Sequence, residues 1–263
     1  MLTERQQRLE YLGRIEHALL RATAVANELR GRAFDLFDHG GRNVVTEVDR
    51  HLSGLLHNEL VRSGEAWLSE EDPDDGHRLN SKLVWVVDPL DGTREFVDGI
   101  PEWCISVGLV ENGIAIAGGT SNPATGEVFL GALDCGVTRN GEPVQTTSRS
   151  SLDGALVLAS RSECKRGEWK PAEQRPFTIE PMGSVAYKLS RVSAGLADAT
   201  WTLSPKHEWD VAAGVALVRA AGGIVQLPEG SELRFNRPKP LLPGLIACGP
   251  QLWPEISSLL CGV

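Results

Sequence analysis

The chain has 263 residues, 41% of them hydrophobic, with a mean hydropathy of −0.15. That is enough to bury a sizeable core, which excludes disorder, and no apolar run approaches the roughly 18–20 residues of a membrane span. Acidic residues outnumber basic ones 35 to 26, a net charge of −9 that disfavours a nucleic-acid polymer as partner.

The polar start, MLTERQQRLEYLGR, lacks the apolar segment of a secretory signal, so a cytoplasmic location is expected. Residues 3–30 predict a long amphipathic helix: Leu9, Leu12, Ile15, Leu19, Ala22, Ala26 and Leu29 recur at spacings of three and four. Thr3 with Gln6 reads as its capping box and Gly31 as its stop. A second helix is predicted from about Thr46 to Ser63, with Val48, Leu52, Leu55, Leu56 and Leu60 facing inward. A strand around 66–68 runs into the acidic stretch SEEDPDDG. Residues 84–87, continuous and rich in β-branched and aromatic side chains, read as a strand buried on both faces that stops at Asp88.

Further strands are predicted at 103–110, 114–118 and 127–133, with the hairpin signal ENG between the first two. From about residue 150 strands (155–160, 224–227, 245–249) alternate with helices (184–194, 210–221, 250–260). The first half thus reads as α+β and the second as nearer to α/β, with the division placed at 1–147 and 148–263. Five scattered cysteines without a CxxC pair, and six histidines without metal-like spacing, argue against a disulfide framework or a zinc site.

Three acidic clusters fall at element ends: Glu70-Glu71-Asp72, Asp88 with Asp91, and Asp210 in HEWDVAAG. Singly, each reads as a solvated turn or a helix cap, since Asp-Pro and Asp-Gly are ordinary turn formers. If they converge, repulsion decides the matter, because two like charges about 4 Å apart cost roughly 4 kcal/mol at an effective dielectric near 20. Such a cluster needs protons or a metal, and oxygen-only ligands suit Mg²⁺, Mn²⁺ or Ca²⁺. DPDDG is no calcium loop of the helix–loop–helix kind, because its fifth position is Gly76 and its sixth His77.

WVVDPLDGTREF, with SEED upstream and EWDVAAGVALVRAAGG downstream, resembles the inositol monophosphatase superfamily of magnesium-dependent, lithium-sensitive phosphatases. The resemblance covers nearly the whole chain. It implies an α+β fold, the layered α-β-α-β-α sandwich of the inositol monophosphatase and fructose-1,6-bisphosphatase type, often as a homodimer. It implies two or three Mg²⁺ ions per site, with Mn²⁺ as a substitute. Glu70, Asp88 and the Leu90 carbonyl would hold the first, and Asp88, Asp91 and Asp210 the second. Gly92 and Thr93 would offer backbone N–H groups to the phosphate. Asp49, in VTEVD, would pair with Thr93 to orient or deprotonate the attacking water, or cap its helix with Thr46, or do both. Asp49, Thr93 and Glu70 are the expected catalytic groups for in-line hydrolysis of a small phosphorylated metabolite by metal-activated water.

The branch is signalled more weakly. DGTREF and EWD look like the 3′(2′),5′-bisphosphate nucleotidase branch, which acts on 3′-phosphoadenosine 5′-phosphate; inositol monophosphatases more often read DGTTNF. Inositol 1-phosphate, fructose 1,6-bisphosphate and histidinol phosphate are the alternatives. MGSVAYKLSRVSAGLAD resembles the family's substrate-side helix, with Gly183 and Ser184 at its start and able to meet the leaving group. Arg94 reads as a second-phosphate contact or an exposed helix-start residue, and Lys188 as an extra phosphate contact or, more simply, a solvated helix lysine. Lys206 and His207 are unusual for either branch. Trp103, Trp201 and Trp209 read as core or pocket walls. The competing classes are a catalytically silent, metal-binding regulatory protein and a plain α/β core with coincidental acidic turns.

Overall fold

The computed structural model describes residues 2–29, 37–39, 43–45, 47–172 and 174–261. The first layer holds α1 (Glu4–Leu29), the short ribbon β1 (Phe37–His39) and β2 (Asn43–Val45), and α2 (Glu47–Leu60). Thr3 and Gln6 cap α1 reciprocally, the Thr3 N–H donating to Gln6 Oε1 at 2.8 Å and the Gln6 N–H to Thr3 Oγ1 at 3.2 Å. Ile15, Leu19, Ala22 and Ala26 are buried as expected, whereas Leu9 is half exposed. The stop at Gly31 and the cap at Thr46 lie outside the described residues.

The chain then builds β3 (Ala66–Ser69), β4 (Leu83–Asp91), the one-turn helix α3 (Thr93–Val97), β5 (Cys104–Glu111), β6 (Ile114–Asn122), β7 (Glu127–Ala132), β8 (Gly136–Arg139) and β9 (Glu142–Val144). These seven strands form one sheet in chain order, parallel at β3–β4 and antiparallel elsewhere. Asn112 and Gly113, both at positive φ, make the tight turn that ENG predicts. Strands β8 and β9 are polar and short, and no hydrophobic run announces them.

Next come β10 (Leu156–Ser160), α4 (Arg161–Arg166), β11 (Thr178–Met182), α5 (Val185–Ser193), β12 (Ala199–Thr202), β13 (Lys206–His207), α6 (Glu208–Ala220), β14 (Ile224–Gln226), β15 (Leu241–Leu242), β16 (Leu245–Cys248) and α7 (Trp253–Cys261). A second sheet runs β11-β10-β12-β16-β14, and β13 pairs with β15 as a separate ribbon. The fold is a layered α-β-α-β-α sandwich. Alternation along β4 shows how it is held together. Trp85 and Val87 point into the core under α1 and α2, while Val84 and Val86 point into the core that contains α5 and α6. In β10, Leu158 joins that middle core, and Val157 and Ala159 pack with Ile256 of α7 on the outer side.

The middle layer demands close approach. A Cβ on Gly118 of β6 would sit 2.5 Å from the Ala213 carbonyl oxygen of α6, and one on Gly108 of β5 2.9 Å from Ala212 Cβ. Helix backbone cannot yield as a side chain can. Gly118→Ala is therefore expected to cost about 3 kcal/mol and to lower the melting temperature by about 6–12 °C, read by circular dichroism.

Candidate active site

Strand β4 does not stop at Asp88, as the hydrophobic run alone suggests. It continues to Asp91 through a bulge. Asp88 pairs with Ser106 and Asp91 with Cys104, so three steps on β4 match two on β5. Pro89 and Leu90 occupy the irregularity, where a residue without an N–H is tolerated. The Leu90 N–H turns back to Asp88 Oδ1 at 2.9 Å. The bulge faces both aspartates toward the middle layer, and the alternation of β4 buries Asp88 to 2% exposure.

Glu70 arrives from the end of β3, whose Ser69 lies beside Val87 in parallel pairing. Asp210 arrives from the first turn of α6, where its Oδ2 accepts the His207 N–H at 3.0 Å. One carboxylate oxygen each from Glu70, Asp88 and Asp210 lies within 4.8 Å of the others. Asp91 is held by the start of α5, accepting from Ser184 Oγ at 2.7 Å and from the Ala186 N–H at 2.6 Å. The three acidic clusters of the sequence therefore do converge, but not in full. Asp72 turns away to accept from Ser53 Oγ and Trp67 Nε1, and Asp74 is bound by Arg78.

Burial and mutual repulsion govern the charge state. Glu70 lines the cavity mouth, and desolvation by the surrounding protein, with Glu71 and Asp91 nearby, raises its carboxyl to about 7. Burial first, then Glu70 and Asp91, push Asp88 well above the usual carboxylate range. Asp210 is pushed well up by burial and then by Asp91 and Glu70. Asp91 is raised by burial against the opposing pull of Ser184 and Ala186. Four carboxyls that resist ionisation beside one another, with only oxygen donors, are the donor chemistry of a hard divalent cation.

Gly92 caps α3 at φ +98°, and a Cβ there would lie 3.0 Å from the Glu102 carbonyl oxygen, so the tight approach needs glycine. Thr93 Oγ1 donates to the Leu90 carbonyl at 3.0 Å and lies 3.4 Å from Asp49 Oδ2, on the first turn of α2. Asp49 is buried. The Gly183 N–H donates to Glu102 at 2.7 Å, and Ser184, at φ +47°, is the N-cap of α5. Lys188 is not a solvated lysine. It is 4% exposed, and its Nζ donates to the carbonyls of Met182, Gly183 and Ser184 at 3.1–3.3 Å. Burial lowers it to about 8, although Asp91 pulls the other way. Trp103 packs edge-on against Phe96 in the core, and Trp201 and Trp209 form walls of the cavity.

Glu70, Asp88, Asp91, Thr93, Lys188 and Asp210 line one open cavity of about 760 Å³, whereas Asp49 and Trp103 do not. Sequence reasoning missed its far wall, Ser160 to Ser162 and Thr202. Residues 155–160 do read as a strand, but α4 and β12 are too short to carry a periodic signal, and only the charge of Arg161 marks the place.

Residues 10–261 match the family model described as the inositol monophosphatase family. An inositol-1-monophosphatase from Synechocystis is 29% identical over 253 residues, spanning 92% of this chain and 86% of that protein. A fructose-1,6-bisphosphatase/inositol-1-monophosphatase from Thermotoga maritima is 33% identical over 199 residues, 73% and 75% of the two chains. The solved inositol monophosphatase of Anabaena superposes with a TM-score of 0.79 at 25% identity, covering 98% of this chain and 97% of its own. The fold agrees with these matches, and the chain belongs to the inositol monophosphatase family of phosphoric monoester hydrolases.

Proposed function

We propose that this chain hydrolyses a phosphomonoester of a small metabolite at the carboxylate cluster, with Mg²⁺, or Mn²⁺ in its place, held there. The convergence of Glu70, Asp88 and Asp210 within 4.8 Å carries the reading. Glu70, Asp88 and the Leu90 carbonyl would hold one ion, and Asp88, Asp91 and Asp210 another. Such ions, when bound, neutralise phosphoryl oxygens and favour departure of the alkoxide. The remaining work falls to the chain. Thr93, which lies 3.4 Å from Asp49 Oδ2, would fix the water for in-line attack, and Asp49 would take its proton through the Thr93 hydroxyl. The N–H groups of Gly92 and Thr93 receive the phosphate, and Gly183 and Ser184 border the leaving group. Lys188, its protons spent on carbonyls, secures the start of α5 and adds positive field at Asp91.

Ser184 ties this machinery together through its hydrogen bond to Asp91. Ser184→Ala is expected to raise the Mg²⁺ concentration for half-maximal activity about 10-fold, measured by phosphate release across a magnesium titration.

The favoured substrate is 3′-phosphoadenosine 5′-phosphate, supported by the DGTREF and EWD motifs and by Arg94, Arg161 and Lys206 on the cavity wall. Inositol 1-phosphate is the second reading, favoured by the names of the Synechocystis and Thermotoga relatives. Phosphate release with Mg²⁺ from the two esters at matched concentration tests the choice. A preference for the nucleotide supports the first, and a preference for the inositol ester the second. Turnover of neither, nor of fructose 1,6-bisphosphate or histidinol phosphate, with Mg²⁺ still bound, would favour the silent regulatory protein.

A further inference from the structure

Lys188, Arg161 and Lys206 are three of the cations that line the cavity, and they are committed to different degrees. Lys188 spends its Nζ on three carbonyls. Arg161 donates to Glu102 and to the Pro181 carbonyl at 3.4 Å, and lies 3.9 Å from Glu95. Among the described residues Lys206, on β13 just before α6, makes one ion pair, with Glu163 Oε1 at 3.5 Å.

Glu163 is an unusual seat for it. It stands in α4 at 2% exposure, accepting from Thr202 Oγ1 at 2.5 Å and from Trp169 Nε1 at 3.2 Å. A buried carboxylate with two hydrogen bonds and a cation is a fixed feature, because removing its counter-charge would leave it stranded. The Lys206 side chain is 20% exposed and lines the cavity. Its ammonium therefore rests, among the described residues, on one long contact, and an ammonium has three N–H groups to offer a ligand. Its charge also reaches Asp91 and Asp210, where it opposes the upward push on both carboxyls.

We infer that Lys206, seated on Glu163, receives a second anionic group of the substrate and so selects phosphomonoesters that carry an additional phosphate. The inference rests on the hydrolytic reading above and adds the residue that sets substrate class. No step of bond making changes. Lys206 acts by a charge-assisted hydrogen bond to a group other than the reacting phosphoryl.

The test compares paired esters that differ only in the second phosphate: 3′-phosphoadenosine 5′-phosphate with adenosine 3′-phosphate, and fructose 1,6-bisphosphate with fructose 1-phosphate. In Lys206→Met the ratio of kcat/KM between the members of a pair is expected to fall about 10- to 100-fold. Lys206→Arg should retain most of the ratio. Glu163→Gln combined with Lys206→Met removes both charges, so it avoids a stranded carboxylate and should show the same fall. A field effect on Asp91 and Asp210 would cancel in the ratio. An equal loss on both esters, or an unchanged ratio in both pairs, would overturn the inference.

Dissociation constants of the same pairs, measured by calorimetry with Ca²⁺ replacing Mg²⁺, give a readout independent of turnover. Binding without any phosphate release in Mg²⁺ would sink the hydrolytic reading, and the ratio of dissociation constants would still decide the role of Lys206.

Discussion

Asp88→Asn is expected to lower kcat/KM by at least about 1,000-fold while leaving the metal-free protein as stable as the wild type or more so. Two facts lead to opposite signs for the two effects. Asp88 is 2% exposed, and burial followed by Glu70, Asp91, Asp210 and Asp49 raises its carboxyl. In the absence of a cation its charge is therefore a cost to the fold. Asparagine keeps the shape and still accepts the Leu90 N–H through its amide oxygen. With a cation, the same charge becomes the attraction that holds it, and its loss removes a ligand shared by two proposed positions. Phosphate release and thermal melts in the presence of a chelator measure the two effects. A variant less stable than wild type by more than about 2 kcal/mol would mean that Asp88 serves the fold rather than an ion.

The second large effect is a coupling of stability to pH and Mg²⁺. Glu70 is raised from its ordinary value of 4.5 to about 7, and Asp88 and Asp210 are raised in the same direction. A carboxyl raised on folding penalises the folded state fully above its folded pKa, and the penalty fades as pH falls toward the unfolded value. The metal-free protein is therefore expected to melt at a higher temperature at pH 5.5 than at pH 8. Mg²⁺ at 100 times its dissociation constant adds about 2.7 kcal/mol, or roughly 5–10 °C for a chain of this size. The gain should be larger at pH 8, because protons compete for the same oxygens at lower pH. Melts followed by circular dichroism at both values, with and without Mg²⁺, check the sign. The absence of any Mg²⁺ shift at pH 8 would leave the acidic turns as coincidence.

The parts of this molecule that could be read from its sequence are those with a period or a motif. The rows of α1, the inward face of α2, the buried run of β4 and the ENG hairpin follow from side-chain spacing, and the structure places them accordingly. The carboxylates that converge were marked by position at element ends and by the DPLDGT and WDVAAG motifs. Their convergence itself was not legible, because it depends on parallel pairing of β3 with β4 and on the bulge that carries β4 past Asp88 to Asp91.

Other features escaped for equally physical reasons. Strands β8, β9 and β13 are too short and too polar to show alternation. The general behaviour of lysine points Lys188 to solvent; three carbonyls at the start of α5 overrule that tendency. Glu163 and Lys206 stand 43 residues apart in sequence and meet only because β12 lies between β10 and β16. No local pattern encodes such a pair.

The reading stands or falls on whether the converged carboxylates hold a divalent cation. Anomalous diffraction from crystals grown with millimolar Mn²⁺ tests it most directly. The account predicts anomalous density between the oxygens of Glu70, Asp88 and Asp210, with a second peak beside Asp91, and loss of both in Asp88→Asn. Density confined to surface carboxylates, with the cluster empty at the same Mn²⁺ concentration, would contradict it.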